Sequence, residues 1–138
     1  MTAFDELMSF QRETEALAQV AGRLGWDQET VMPRGSAEQR GEEIGAMESI
    51  LHVRKTDPKV GDWLSAAKAP DEVGARAIEL IGRAYERTAR VPAALAAELA
   101  RTTSVAQGMC AEVRAKNDLD HSLPPLQRVM WLERDKAA

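Results

Sequence analysis

From Leu95 to Val113 the residues Leu95, Leu99, Thr102, Ala106, Met109 and Val113 recur in alternating steps of four and three. This is the a/d spacing of a helix lying along another helix; a strand, which alternates every second residue, cannot present it as one face. Pro92 opens this segment and Lys116 closes it, which predicts a helix of about 37 Å at 1.5 Å per residue. That exceeds the ~30 Å diameter of a small domain. The spacing therefore predicts a long antiparallel hairpin, with the helix before it as partner, that projects or lies along further polypeptide.

The rest of the chain carries helical punctuation throughout. Phe4, Leu7, Met8, Leu17, Val20, Ala21 and Leu24 share a face of a first helix, capped by Thr2 and Asp5 and stopped at Gly25. Ser36 and Gln39 have the spacing of a capping box and open a second helix to about Lys55, with Ile44, Met47, Ile50 and Leu51 inward. Asp57-Pro58 restarts the chain as a short third helix carrying Val60, Trp63 and Leu64. Asp71 or its neighbour caps a fourth helix to about Ala89, with Val73, Ala77, Leu80, Ile81 and Ala84 inward. Asn117-Asp118 ends the fifth, and Leu123-Pro124 starts a last helix patterned by Leu126, Val129, Met130 and Leu132. That helix runs to Lys136-Ala137-Ala138 without stop chemistry. The expectation is one all-α domain over residues 1–138, a bundle of about five to six helices including a long antiparallel hairpin.

Composition supports this and excludes several classes. Only 4% of residues are aromatic against 44% hydrophobic overall, which suits helices packed through small and aliphatic side chains. A net charge of −4 lacks the basic footprint of a nucleic-acid binder. No window approaches the ~20 apolar residues of a membrane span, and Asp5 and Glu6 interrupt any secretory leader. The lone Cys110 excludes an intramolecular disulfide. A cytoplasmic protein without nucleic-acid or membrane partners is expected.

Candidate chemistry is sparse. Glu48 and His52 lie four apart on one helix and could offer two metal ligands, but that spacing equally suits an exposed pair. Asp118, Asp120 and His121 cluster in a turn. Arg76, Arg83, Arg87 and Arg90 could read as an anion stripe. However, Glu72-Arg76, Glu79-Arg83 and Glu86-Arg90 form three favourable i,i+4 pairs that describe a solvated face. Cys110 has only Arg114 nearby to activate it. No catalytic set and no metal site emerges, so no cofactor is expected in this chain.

The stretch Leu24-Gly-Trp-Asp-Gln-Glu-Thr-Val-Met-Pro33 is the exception to the helical pattern. Read physically, it is a turn between two helices, with Asp27 as a cap and Trp26 and Met32 as packing. Trp26 is expected to be largely buried, with no metal near Asp27.

Those ten residues, with Trp26, Asp27, Gln28, Met32 and Pro33 as the distinctive positions, closely resemble the N-terminal signature of the Taq-type zinc metallocarboxypeptidases. The resemblance continues through Gly35 and Ala37-Glu-Gln-Arg40, Asp57-Pro-Lys-Val-Gly61, Ala84-Tyr-Glu-Arg87, Val91-Pro-Ala-Ala-Leu95, Glu98-Leu-Ala-Arg-Thr-Thr-Ser104, Ala115-Lys-Asn-Asp118, Leu123-Pro124 and Glu133-Arg134. It implies a helical, cytoplasmic, often dimeric enzyme family that removes C-terminal residues from peptides with a zinc-activated water. The family's His-Glu-x-x-His helix has no counterpart in this sequence, so zinc is expected only in full-length relatives. The resemblance thus implies a non-catalytic N-terminal helical domain or truncated relative of a zinc metallocarboxypeptidase. The alternative is a free-standing interaction or dimerisation module without peptidase activity. In either case self-association through exposed apolar helix faces is expected.

Overall fold

The computed structural model describes residues 1–118 and 120–137, so the terminal Ala138 lies outside the described residues. The protein is all-α. Its elements are α1 (Ala3–Thr30), α2 (Ala37–Lys55), α3 (Pro58–Ala66), α4 (Glu72–Ala89), α5 (Ala93–Lys116), a 3-10 turn (Asp120–Ser122) and α6 (Leu123–Ala137). Among the described residues, no helix is long and apolar enough to cross a membrane.

Several boundaries follow the expected chemistry. The Thr2 hydroxyl accepts from the Asp5 N–H (3.2 Å) while the Thr2 N–H and hydroxyl donate to the Asp5 carboxylate (3.0 and 2.8 Å), a closed capping box. Asp57 caps α3 through the Lys59 N–H, with Pro58 in the first position, and Asp71 caps α4 through the Gly74 N–H. Asn117, left-handed at φ 53°, ends α5. Ser36 departs from expectation: its side chain makes no capping hydrogen bond, and Gln39 turns to Glu43 instead.

The centre of the molecule is α2, antiparallel to α1 on one side and to α5 on the other. Arg54 reaches Phe10, Glu13 and Thr14 of α1, while Arg40 reaches Asp27. Against α5, Ala37 meets Gly108, Gly41 meets Val105 and Arg101, Gly45 meets Arg101 and Ala97, and His52 meets Val91. The partner of α5 is therefore α2 and not α4. The row of α5 that faces the α2 glycines is Ala97, Arg101, Val105 and Gly108, offset from the Leu95–Val113 row, whose members are buried or half-buried.

This contact depends on missing side chains. A β-carbon on Gly41 would sit 2.6 Å from Val105 Cγ2 and 3.3 Å from the Arg101 carbonyl oxygen, and one on Gly108 would sit 2.8 Å from Ala37 Cβ. Ala37, Gly41, Gly45 and Ser49 recur every four residues and form one ridge of small residues along α2. The inward face of α2 is consequently this ridge with Leu51 and His52, and Ile50 is exposed.

The remaining helices close the ends. Trp63 of α3 stacks at a tilt on Phe10 (5.5 Å between centroids), and Val60 is buried. Gly74 of α4 sits against Pro70 and Phe4, Gly61 of α3 against Tyr85, and Gly82 against Leu64. These contacts rotate α4 away from its expected orientation. Val73 (78% exposed), Leu80 and Ala84 face outward, while Ala77, Ile78, Ile81 and Tyr85 are half-buried. Leu132 of α6 is buried, and Arg128 pairs with Glu98 of α5 at 3.6 Å.

Two stability tests follow. Gly25 is helical, and a methyl group added there would meet nothing within 4 Å, so Gly25→Ala should stabilise by about 0.5–1 kcal/mol. Gly41→Leu should destabilise by about 1–3 kcal/mol through overpacking; urea midpoints of the two variants would move in opposite directions. The hydrogen bonds from Thr2 hold the Asp5 carboxyl below its ordinary value of 3.8. A depressed folded-state value stabilises above the ordinary value and is lost as pH falls through the lower one. The first turn of α1 should therefore fray below about pH 3.8, followed by its amide chemical shifts, and Asp5→Asn should remove that acid-dependent step.

Candidate functional site

The family-signature residues lie on the last turns of α1 and the connection that follows. Gly25 does not stop the helix: α1 continues to Thr30, and Val31 and Met32 then donate backbone N–H bonds to the Asp27 carbonyl oxygen (3.0 and 2.9 Å). A mid-helix glycine costs only about 1 kcal/mol relative to alanine, which the contacts made by the next residues offset.

Those contacts reach two other helices. The Asp27 carboxylate accepts from Arg40 of α2 at 2.6 Å, and Arg40 also donates to Glu43 (2.8 Å) and to the Leu24 carbonyl. Hydrogen bonding to Asp27 raises the Arg40 guanidinium above its already high ordinary value, against the opposing effect of burial. The Gln28 side chain donates to the Ser104 carbonyl of α5 at 2.7 Å and accepts from the Ser104 hydroxyl at 2.9 Å. Glu29 accepts from Gln107 at 2.6 Å. Asp27 thus ties α1 to α2, and Gln28 ties α1 to α5. Asp27 is not the turn cap that its position suggested.

Trp26 overturns a second expectation: it is 64% exposed. Helical geometry explains this. With Asp27 and Gln28 turned inward toward α2 and α5, the preceding residue points away. Met32 is half-buried and lines a cleft with Pro33, Gly35, Ala37, Gly108 and Met109.

The other candidates are dispersed. The ring Nε2 of buried His52 is hydrogen-bonded to the Val91 carbonyl (2.7 Å), joining the end of α2 to the α4–α5 turn. Glu48 and His52 line an open cleft with Leu99, Ala100 and Lys136. His121 pairs with Asp118 at 2.8 Å beyond the other end of α5. The 24 residues of α5 separate these two ends by roughly 36 Å. Among the described residues, no three His, Cys, Asp or Glu side chains converge as a metal site. On α4, Glu79 takes both Arg76 (2.6 Å) and Arg83 (3.9 Å), so Arg76 bonds toward Glu79 and not toward Glu72. Cys110 is exposed.

The partners of the signature fall in other stretches that resemble the family, but nothing in the sequence pairs them with it. Arg40 and Ser104 make its contacts, yet neither lies within helical reach of Asp27 or Gln28 along the chain. Only the antiparallel arrangement of α1, α2 and α5 brings them together. Arg40→Lys loses the fork that serves Asp27, Glu43 and Leu24 at once. It should destabilise by about 1–3 kcal/mol, read as a lower urea midpoint, and should leave the helical circular-dichroism signal intact.

Comparison with known proteins places this geometry. A thermostable carboxypeptidase 1 from Thermus thermophilus is 36% identical over 141 aligned residues, covering 98% of this chain and 28% of the relative. The chain therefore spans a little over a quarter of that protein's length. The family model of the carboxypeptidase Taq (M32) metallopeptidases matches residues 6–138. With a match of that extent, running through the clamp of Asp27 and Gln28, the chain belongs to the carboxypeptidase Taq (M32) metallopeptidase family.

Proposed function

We propose that these 138 residues form an N-terminal helical module of a metallocarboxypeptidase that does not itself hydrolyse peptides. The observation that carries this reading is the coverage: nearly the whole chain aligns with only 28% of the Thermus relative. The catalytic machinery is assigned to the remaining length of the family fold.

The donor chemistry of the chain supports the same division. A hydrolytic zinc site needs several nitrogen or oxygen ligands converging on one point with an open position for water. The two histidines here stand at opposite ends of α5, one bonded to a backbone carbonyl and the other to Asp118. The described residues do not fit such a site, and no hydrolytic step is routed through them. In this reading the signature residues act in assembly. Asp27 and Gln28 set the register of three helices, and α2 holds them at close spacing.

A second reading, a free-standing helical module that self-associates, is favoured by the large apolar side chains left at the surface, Trp26, Met130 and Trp131 among them. Both readings predict the same assay result. The purified chain should release no C-terminal residue from an N-blocked dipeptide, with or without added zinc. Its zinc content by elemental analysis should stay well below one per chain. One zinc per chain with measurable turnover would overturn both readings, and a concentration-independent monomer by sedimentation would overturn the second alone.

A further inference from the structure

The surface of α6 differs from the other exposed apolar positions. Leu123 and Met130 lie seven residues apart on one side of the helix, with Leu126 and Trp131 on the flanks of that side. All four are exposed, Met130 and Trp131 at 69% and 67%. The opposite side carries buried Leu132 and half-buried Val129, and Arg128 anchors the helix to Glu98 of α5. The helix is therefore fixed to the bundle on one side and carries large exposed apolar side chains on the other, among the exposed polar residues Gln127 and Arg134. Exposed apolar residues also lie on other helices, Val73 and Leu80 on α4 and Ile50 and Val53 on α2, but those pairs are aliphatic, whereas α6 carries four with Met130 and Trp131 side by side.

We propose that the outward face of α6, centred on Met130 and Trp131, is the seam on which the remaining polypeptide of the family fold docks. This rests on reading the chain as a module of that longer fold. The occupant follows from the coverage: 72% of the Thermus relative lies outside the part aligned with this chain, and that polypeptide must cover some face of the bundle. The α6 face is chosen because it exposes the largest apolar side chains gathered on one helix, Met130 beside Trp131. Large apolar side chains gathered at an exposed surface are the usual mark of such a contact.

Thiol labelling tests the assignment. In the 138-residue chain with Cys110→Ser, a cysteine introduced by Met130→Cys should react with a maleimide as fast as one introduced by Val53→Cys, since both positions are exposed. In the intact Thermus enzyme, a cysteine at the position aligned with Met130 should label at least about tenfold more slowly than in the isolated chain. One at the position aligned with Val53 should not slow to that degree. Equal rates at both positions in the intact enzyme would overturn the proposal. So would a homodimer of the isolated chain that Met130→Glu dissociates, because the face would then belong to a second copy. Peptidase assays on the isolated chain read out the non-catalytic proposal separately, so either idea can fail without the other.

Discussion

The close approach of α2 to α5 is the constraint on which the rest of the structure depends. Gly41 and Gly45 on one helix and Gly108 on the other leave too little room for side chains, so the two backbones lie against each other. That spacing allows the central helix to touch two long neighbours at once. It also explains why a bundle with so few aromatic residues holds together. Among the described residues only Leu7, Leu51, Val60, Ala106 and Leu132 are buried hydrophobic side chains. Much of the contact is instead made by backbone and small residues at van der Waals distance.

With a core this thin, polar bonds between helices carry much of the register. Arg54 spans Thr14, Glu13 and the Phe10 carbonyl and lies 4.1 Å over the Phe10 ring. Arg101 gathers Glu38, Glu42 and Glu98 at 3.4–3.7 Å. The exposed members of such sets contribute little individually. Arg40 is different, with its side chain only 11% exposed, because removing one partner of a shielded ion pair leaves the other uncompensated. Among the described residues, every buried side-chain nitrogen or oxygen has a hydrogen-bond partner. The polar braces are therefore complete, and each holds a particular pair of helices in a particular alignment.

How far the fold was legible in sequence varies with the kind of signal. Caps acting within four residues, Thr2 with Asp5, Asp57 with Lys59 and Asp71 with Gly74, were readable because the chemistry is local. Helix pairing was not. The a/d row of α5 pointed to a neighbour, yet the side meeting α2 is built of Ala97, Arg101, Val105 and Gly108, which no hydrophobic period marks. Glycine is a poor guide: Gly25 reads as a stop and is a helical residue, while Gly41 and Gly45, which no sequence pattern singles out, define the main interface. The orientation of α4 failed for the same reason, since Gly74 and Gly82 set its contacts in place of Val73 and Leu80. In the candidate site, Asp27, Gln28, Arg40 and Ser104 all stood in stretches resembling the family, but their pairing across 13 and 76 residues was not legible.

The signature is built as a joint between helices. Asp27 and Gln28 are adjacent, so on a helix their side chains diverge by about 100°, and each is taken by a different neighbour. One residue before them, the same geometry leaves Trp26 facing solvent. A stretch that must satisfy α2 and α5 together tolerates few substitutions, because changing either residue strands a partner on another helix. Within this chain it specifies the mutual placement of three helices.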